Sequence, residues 1–133
     1  MTSTFRLPLM ALAFVSLMMA GTAHAGMASK ITATSTFSGL SDHVTTGGMT
    51  IIKSDSGNLL VLEADFSLDG APDPKFGFGN DGAYVKATEF GKLANLKGHQ
   101  VYKIPASIDV SKYNEIYVWC AKVGIPLGVA SLK

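Results

Sequence analysis

Apolar and polar residues alternate in short runs along the chain, which is the pattern of β-strands that bury one face. In KITATSTF, residues 30–37, the apolar positions Ile31, Ala33 and Phe37 fall on one side and the threonines fall on the other. No window of a dozen or more residues carries the 3.6-residue period of an amphipathic helix. The pattern therefore predicts strands and no long helix.

Further runs predict the remaining strands, with turn residues between them. Met49–Lys53 and Leu59–Phe66 flank the turn sequence SDSGN and predict a β-hairpin. Short strands are expected around the glycine-rich segment of Lys75–Lys86 and in QVYKI, EIYVWCAK and GIPLGVAS, whereas Asp109–Tyr113 predicts one helical turn. Because short strands recur between Gly, Pro, Asp and Ser residues, the predicted fold class is all-β, a single domain resembling a β-sandwich or small barrel.

The N-terminus has the organisation of a secretory signal peptide. It carries a positive charge at Arg6, an apolar run at Leu7–Ala20 and then the small-residue tripeptide AHA. The run is shorter than the ~20 apolar residues that a membrane helix needs, so we expect cleavage and no membrane span afterwards. Residues 1–25 are then the signal peptide, and residues 26–133 form one domain that is exported to the periplasm or the extracellular space.

The net charge of the chain bears on which classes of partner it can bind. The chain has 11 Lys and Arg against 10 Asp and Glu, and its single arginine, Arg6, lies in the predicted signal peptide. A nearly neutral domain without arginine lacks the phosphate-binding and base-reading side chains of nucleic-acid-binding proteins. A nucleic-acid partner is therefore not expected.

Two motifs have simpler explanations than a ligand site. Gly77–Gly82 spells the glycine pattern of a dinucleotide-binding turn, but it lacks the βαβ context that such a turn requires, so a loop tip is expected there. Asp65, Asp69, Asp73 and Asp81 could supply oxygens to calcium, yet their spacing matches no known coordination loop. Asx-turns account for Asp69 and Asp73 without a metal.

The only cysteine, Cys120, follows the only tryptophan, Trp119. In EIYVWCAK, alternation places Ile116, Val118 and Cys120 on one face and Tyr117 and Trp119 on the other. Exported proteins usually pair their cysteines, and a lone cysteine cannot close an intramolecular disulfide. Cys120 is therefore an inert core residue, a reactive thiol or a ligand.

A catalytic role finds little support. A cysteine nucleophile needs a neighbouring imidazole and a third orienting group, and only His43 and His99 remain after the predicted signal peptide. No peptidase signature surrounds Cys120. An enzyme is left open and is not favoured.

Several ordered segments, which together extend from about Phe37 to Leu132, form a recognisable pattern. They are Phe37–Gly39, His43, Thr46–Gly47, Asp65–Phe66, Gly70–Asp73, Phe90–Leu93, Lys97–Gly98, Gln100–Tyr102, Ile104–Pro105, Tyr113, Val118–Cys120, Gly128 and Ala130. In this order they resemble the electron-transfer DM-thirteen domain family.

The resemblance implies a β-sandwich-like extracytoplasmic module, related to the haem- and sugar-binding DOMON domains. It implies that Cys120 acts in redox chemistry beside Trp119, as a bare thiol or as a cofactor ligand, with an unidentified redox partner protein. Haem and copper are both candidates, the absence of a cofactor is equally compatible, and His43 is the candidate second ligand. Val123 and Leu127 replace aromatic residues of the family pattern, which weighs against a stacked flat cofactor.

The alternative is a non-redox binding or adhesion module in which Cys120 only fills the core. The loops Asp69–Asp73 and Gly77–Gly82 would then present the ligand surface.

Overall fold

The short alternating runs form antiparallel β-strands in the computed structural model, which describes residues 28–133. The predicted signal peptide, residues 1–25, lies outside the described residues. The strands are β1 (Ser29–Thr36), β2 (Ser38–Gly39), β3 (Thr45–Thr46), β4 (Gly48–Ser54), β5 (Gly57–Leu62), β6 (Ser67–Leu68), β7 (Pro74–Asn80), β8 (Ala83–Lys92), β9 (Gln100–Ile104), β10 (Glu115–Cys120) and β11 (Ile125–Ser131).

Two main sheets pack their apolar faces into one core. The first has the strand order β1-β4-β5-β9, the second has the order β2-β11-β10-β7-β8, and the short strands β3 and β6 pair separately. Met49 and Leu60 of the first sheet and Phe76, Phe78 and Leu127 of the second are fully buried in the same cluster. The structure confirms the predicted all-β, sandwich-like class. Among residues 28–133 no helix has the length and apolarity to cross a membrane.

The first sheet contains the predicted hairpin and one deviation from the expected pattern. β4 and β5 pair from Met49↔Leu62 to Ser54↔Gly57, as predicted. On the neighbouring edge strand β1 the register shifts between Ile31 and Ala33. A bulge puts the residues on its two sides out of phase, so that they no longer alternate onto the same face. Ile31 is therefore 61% exposed and does not share the buried face expected for it.

The glycine-rich segment is a strand for most of its length. Gly77 and Gly79 lie in β7, between β10 and β8, and their backbone is buried. Only Asp81 and Gly82 form the turn, both with positive φ (51° and 86°). The expectation of a loop tip over Gly77–Gly82 was therefore wrong for all but this turn, because neighbouring strands satisfy the hydrogen bonds of the glycine backbone.

The second sheet contains a bulge, and one side-chain donor and one backbone donor satisfy the carbonyl that it leaves out of the sheet. The register shifts after Val118, which pairs with Gly128, so that Trp119 faces Pro126 and Leu127 is the additional residue. The carbonyl of Leu127 accepts hydrogen bonds from Thr45 Oγ1 (2.7 Å) and from the Leu40 N–H (3.0 Å). These bonds connect the segment between β2 and β3 to the sheet that carries Cys120.

The predicted helical turn is also present. A 3-10 helix spans Val110–Lys112, and the Asp109 carboxylate accepts a hydrogen bond from the Ser111 N–H at 3.1 Å. Two hydrogen bonds from Ser111, that of its side chain first, lower the pKa of Asp109 below its usual value.

Candidate functional site

Cys120 is the last residue of β10, and its side chain points into the core. Ile116 and Val118 precede it at alternate positions and are fully buried, so the two-residue period of the strand also turns the thiol inward. The predicted faces of this strand are thereby confirmed. Only 1% of Cys120 is exposed, so bulky oxidants and thiol reagents do not reach its sulfur in this conformation.

The chain turns immediately after the thiol. Ala121 donates its N–H to the Asp73 carbonyl at 2.9 Å, and Gly124 donates to the Cys120 carbonyl at 2.7 Å. Gly124 has a φ of 76°, a conformation that glycine adopts without strain. The turn Ala121–Gly124 thus closes the end of the sandwich next to Cys120.

The histidine predicted as a second ligand, His43, is hydrogen-bonded to an aspartate. Its Nδ1 lies 2.9 Å from Oδ1 of Asp69, whose other oxygen accepts a hydrogen bond from the Val44 N–H at 3.0 Å. The Val44 hydrogen bond, and then the His43 hydrogen bond, lower the pKa of Asp69 below its usual value. This pair joins the loop before β3 to the loop after β6.

The described residues do not form a metal site around Cys120. Within residues 28–133 no group of three or more His, Cys, Asp or Glu side chains is arranged to hold a metal ion. A copper centre with one thiolate and two imidazoles is therefore not assembled there. Cys120 also lines neither of the two surface cavities described for this part of the chain. Because Cys120 is 1% exposed and packed in the apolar core cluster, the surroundings of its sulfur do not fit a haem either.

The aspartates considered for calcium make separate contacts. Asp65 accepts a hydrogen bond from the Gly48 N–H, Asp73 lies 3.7 Å from the ammonium of Lys75, and Asp81 accepts a hydrogen bond from Asn114. Asp69 contacts His43 and Val44 where an Asx-turn was expected. Each carboxylate stabilises a different loop, which leaves no shared cation site in residues 28–133.

On the outer face of the same sheet, Trp119 belongs to an aromatic cluster. Its ring stacks on Tyr84 of β8 with a centroid distance of 4.0 Å and an interplanar angle of 4°. Tyr84 also meets Tyr117 edge to face at 5.5 Å. Such arrangements contribute about 0.5–1.5 kcal/mol per pair beyond the area that they bury. They also fix the orientation of the three rings.

Two glycines of β7 make room for this cluster. A Cβ atom at Gly77 would collide with the ring of Tyr84, and a Cβ atom at Gly79 would lie 2.9 Å from Cε2 of Tyr117. The rings therefore cover a strand that has no outward side chains at these positions. Covering strand glycines with aromatic rings is a known way to stabilise a sheet.

Carboxylates hold the hydroxyl groups of both tyrosines. Tyr117 donates its hydroxyl to Glu115 at 2.7 Å, and Tyr84 donates to Glu89 at 3.1 Å. Burial, followed by the interaction with Glu115, raises the pKa of Tyr117 to about 12. Burial and the charge of Glu89 also raise the pKa of Tyr84. Both phenols are thus neutral hydrogen-bond donors at ordinary pH.

The cluster borders a surface cavity of about 540 Å³, called here the aromatic pocket. It lies over the outer face of the second sheet. Its lining includes Tyr84, Tyr117, Trp119, Glu115, Pro126 and Val129.

The sequence analysis placed Trp119 on this face but missed the pocket. One signal was present, because Gly77 and Gly79 alternate in the same way as Tyr117 and Trp119, which is what a glycine strand under aromatic side chains requires. The partner Tyr84 was not identifiable, because its position depends on the pairing of β7 with β8.

The fold and these residues define an all-β sandwich. One of its sheets carries a single thiol on the inner face and an aromatic pocket on the outer face. The profile of the family described as Electron transfer DM13 matches residues 36–132. The chain belongs to this family, the DM-thirteen family that its motifs resemble. No curated protein and no solved structure gives a significant match.

Proposed function

We propose that this protein is an exported electron-transfer domain in which Cys120 is the redox-active residue and Trp119 its aromatic neighbour. Membership of a family described as electron transfer carries the proposal. Cys120 is the only cysteine of the chain and lies within the matched residues. The chemistry that a lone thiol offers is reversible oxidation.

The burial of Cys120 restricts how such a domain would work. Sulfenic acid formation requires a peroxide at the sulfur, which gives one oxygen atom to the thiol and leaves as water or an alcohol, and a mixed disulfide requires a disulfide of the partner protein, one sulfur of which leaves as a thiolate. With the thiol 1% exposed, either reaction depends on a local opening of the structure around Cys120. The thiol and the Trp119 ring occupy opposite faces of one strand at adjacent positions.

The test is voltammetry and absorption spectroscopy of the protein purified from the periplasm, compared with Cys120→Ala and Cys120→Ser. We expect a reversible signal from the wild-type protein that both variants lack. Cys120→Ala is the matched control, because it removes the sulfur without burying a hydroxyl in an apolar core. A signal that persists in both variants would contradict the role of Cys120. Export predicts a mature N-terminus at Gly26, which mass spectrometry measures.

The burial of Cys120 favours a second candidate, a non-redox binding module with an inert cysteine. A free cysteine in a core behaves as a small hydrophobic residue. This candidate predicts a colourless protein without a voltammetric signal, whose thiol reacts only after denaturation. Of the two loops named for ligand binding in the sequence analysis, Gly77–Gly82 fits less well, because Gly77 and Gly79 lie within β7. The aromatic pocket is a better surface.

A further inference from the structure

The aromatic pocket combines an apolar wall, an aromatic wall and one charged group. Pro126 and Val129 of β11 and Leu40 supply the apolar wall, and the three aromatic residues of the cluster supply the other. Glu115 is the only charged residue that lines the pocket, and no lysine or histidine lines it. An apolar cavity with one negative charge selects for a ligand with an apolar body and a positive charge.

The carboxylate of Glu115 is held in place by hydrogen bonds, and no cationic side chain of residues 28–133 is paired with it. Its Oε2 accepts hydrogen bonds from the Gly82 N–H (2.9 Å) and the Tyr117 hydroxyl (2.7 Å). Among residues 28–133 its Oε1 receives no hydrogen bond, and Glu115 forms no ion pair. Glu89, on the other side of the cluster, differs because it lies 3.8 Å from the ammonium of Lys75.

The aromatic rings add a second attraction for a cation. The faces of Trp and Tyr rings are electron-rich, and they bind alkylated ammonium groups through cation–π interactions. The Tyr84–Trp119 stack and the two phenol–carboxylate hydrogen bonds keep the rings in place before any ligand arrives. A site that is ordered in advance loses less conformational entropy on binding.

We propose that the aromatic pocket binds a small alkylated ammonium compound, with its cationic head against the aromatic wall on the side of the Glu115 carboxylate. The volume of about 540 Å³ lies within the range of small-molecule sites. A quaternary ammonium head fits better than a primary one, because it has no N–H groups that need acceptors and its methyl groups would pack against Pro126 and Val129 of the lining. The site is independent of the redox state of Cys120.

The test uses choline and its neutral isostere 3,3-dimethyl-1-butanol as probes, which have the same shape and differ in charge. Trp119 is the only tryptophan of the chain, so its fluorescence reports on the pocket alone, and calorimetry provides a second measurement. We expect choline to bind at least about tenfold more tightly than the isostere, and its binding to weaken as salt is added.

Variants locate the site. Glu115→Gln keeps the shape and removes the charge, and we expect it to weaken choline binding roughly five- to tenfold. Asp55→Asn, at the exposed hairpin turn, is the matched control for net charge and should leave binding unchanged. Val129→Lys places an ammonium at the rim of the pocket and should weaken choline binding even if Glu115→Gln is poorly folded.

Equal binding of choline and its isostere would overturn the proposal, as would unchanged choline binding in Val129→Lys. Loss of choline binding in the Cys120→Ala protein, with its fold intact, would also overturn it, because the pocket would then depend on the thiol. Conversely, choline binding by a wild-type protein without a redox signal would support this pocket while contradicting the electron-transfer role.

Discussion

On its inner face, β10 presents Ile116, Val118 and Cys120 to the core, whereas on its outer face Tyr117 and Trp119 line a pocket. The inner residues are at most 1% exposed. The outer residues lie in a network of ring contacts and phenol–carboxylate hydrogen bonds. The inner face stabilises the fold by burying apolar side chains, and the outer face presents aromatic rings, phenol hydroxyls and a carboxylate. The single thiol lies on the face that solvent does not reach.

The largest loss of folding stability is expected from a substitution on the inner face. We expect Ile116→Ala to lower the free energy of unfolding by about 2–5 kcal/mol, because a fully buried side chain leaves a cavity. Val129→Ala, on the half-buried lining of the pocket, is the matched outer change and should cost less. Urea denaturation with unchanged m-values measures both. Equal losses would show that the outer face also acts as a core.

A smaller loss of folding stability is expected from a substitution in β7, beneath the aromatic cluster. Gly77→Ala would push Tyr84 away from Trp119, and overpacking of this kind costs about 1–3 kcal/mol. The free energy of unfolding, measured by urea denaturation, and the fluorescence of Trp119 should both change. Adding Tyr84→Ala removes the clash, so the two substitutions should not be additive. A Gly77→Ala protein with wild-type fluorescence would contradict the close packing of Tyr84 on β7.

The phenols of the outer face provide a pH test. The raised pKa of Tyr117, about 12 compared with 10.0 in the unfolded chain, means that folding stabilises its neutral form. This contribution is complete below pH 10.0 and is lost as the pH rises through about 12. Ultraviolet titration should show late ionisation that Tyr117→Phe removes. Glu115→Gln should lower the pKa of Tyr117, and a titration unaffected by this change would contradict the role of the carboxylate.

The smallest effect is expected for a contact that lies on neither face. Because the pKa of Asp69 is lowered in the folded protein, its contribution to stability is present above its ordinary value of 3.8 and is lost as the pH falls through the folded value. Asp69→Asn should therefore flatten the acid side of a melting-temperature profile. Asp55→Asn is the control. An acid profile identical to that of the wild-type protein would show that the His43–Asp69 pair contributes nothing.

Much of the outer face could not have been predicted from local patterns. Alternation correctly assigned the two faces of β10, because each residue of a strand reverses the side-chain direction. It failed at Ile31, where a register shift in the edge strand intervenes. It also failed at Gly77 and Gly79, where turn-forming residues lie inside a central strand. In both cases the pairing of distant strands outweighed the local preference.

The sequence alone determined the all-β class, the inward position of Cys120 and the family of the chain. Each of these depends on the order and spacing of residues within short segments. Only the tertiary structure decided that the thiol is closed off, that His43 contacts Asp69, and that Tyr84 stacks on Trp119 beside Glu115. These contacts join residues 26 to 35 positions apart in the chain. They exist because the sheets fix the register between strands, and no local pattern encodes that register.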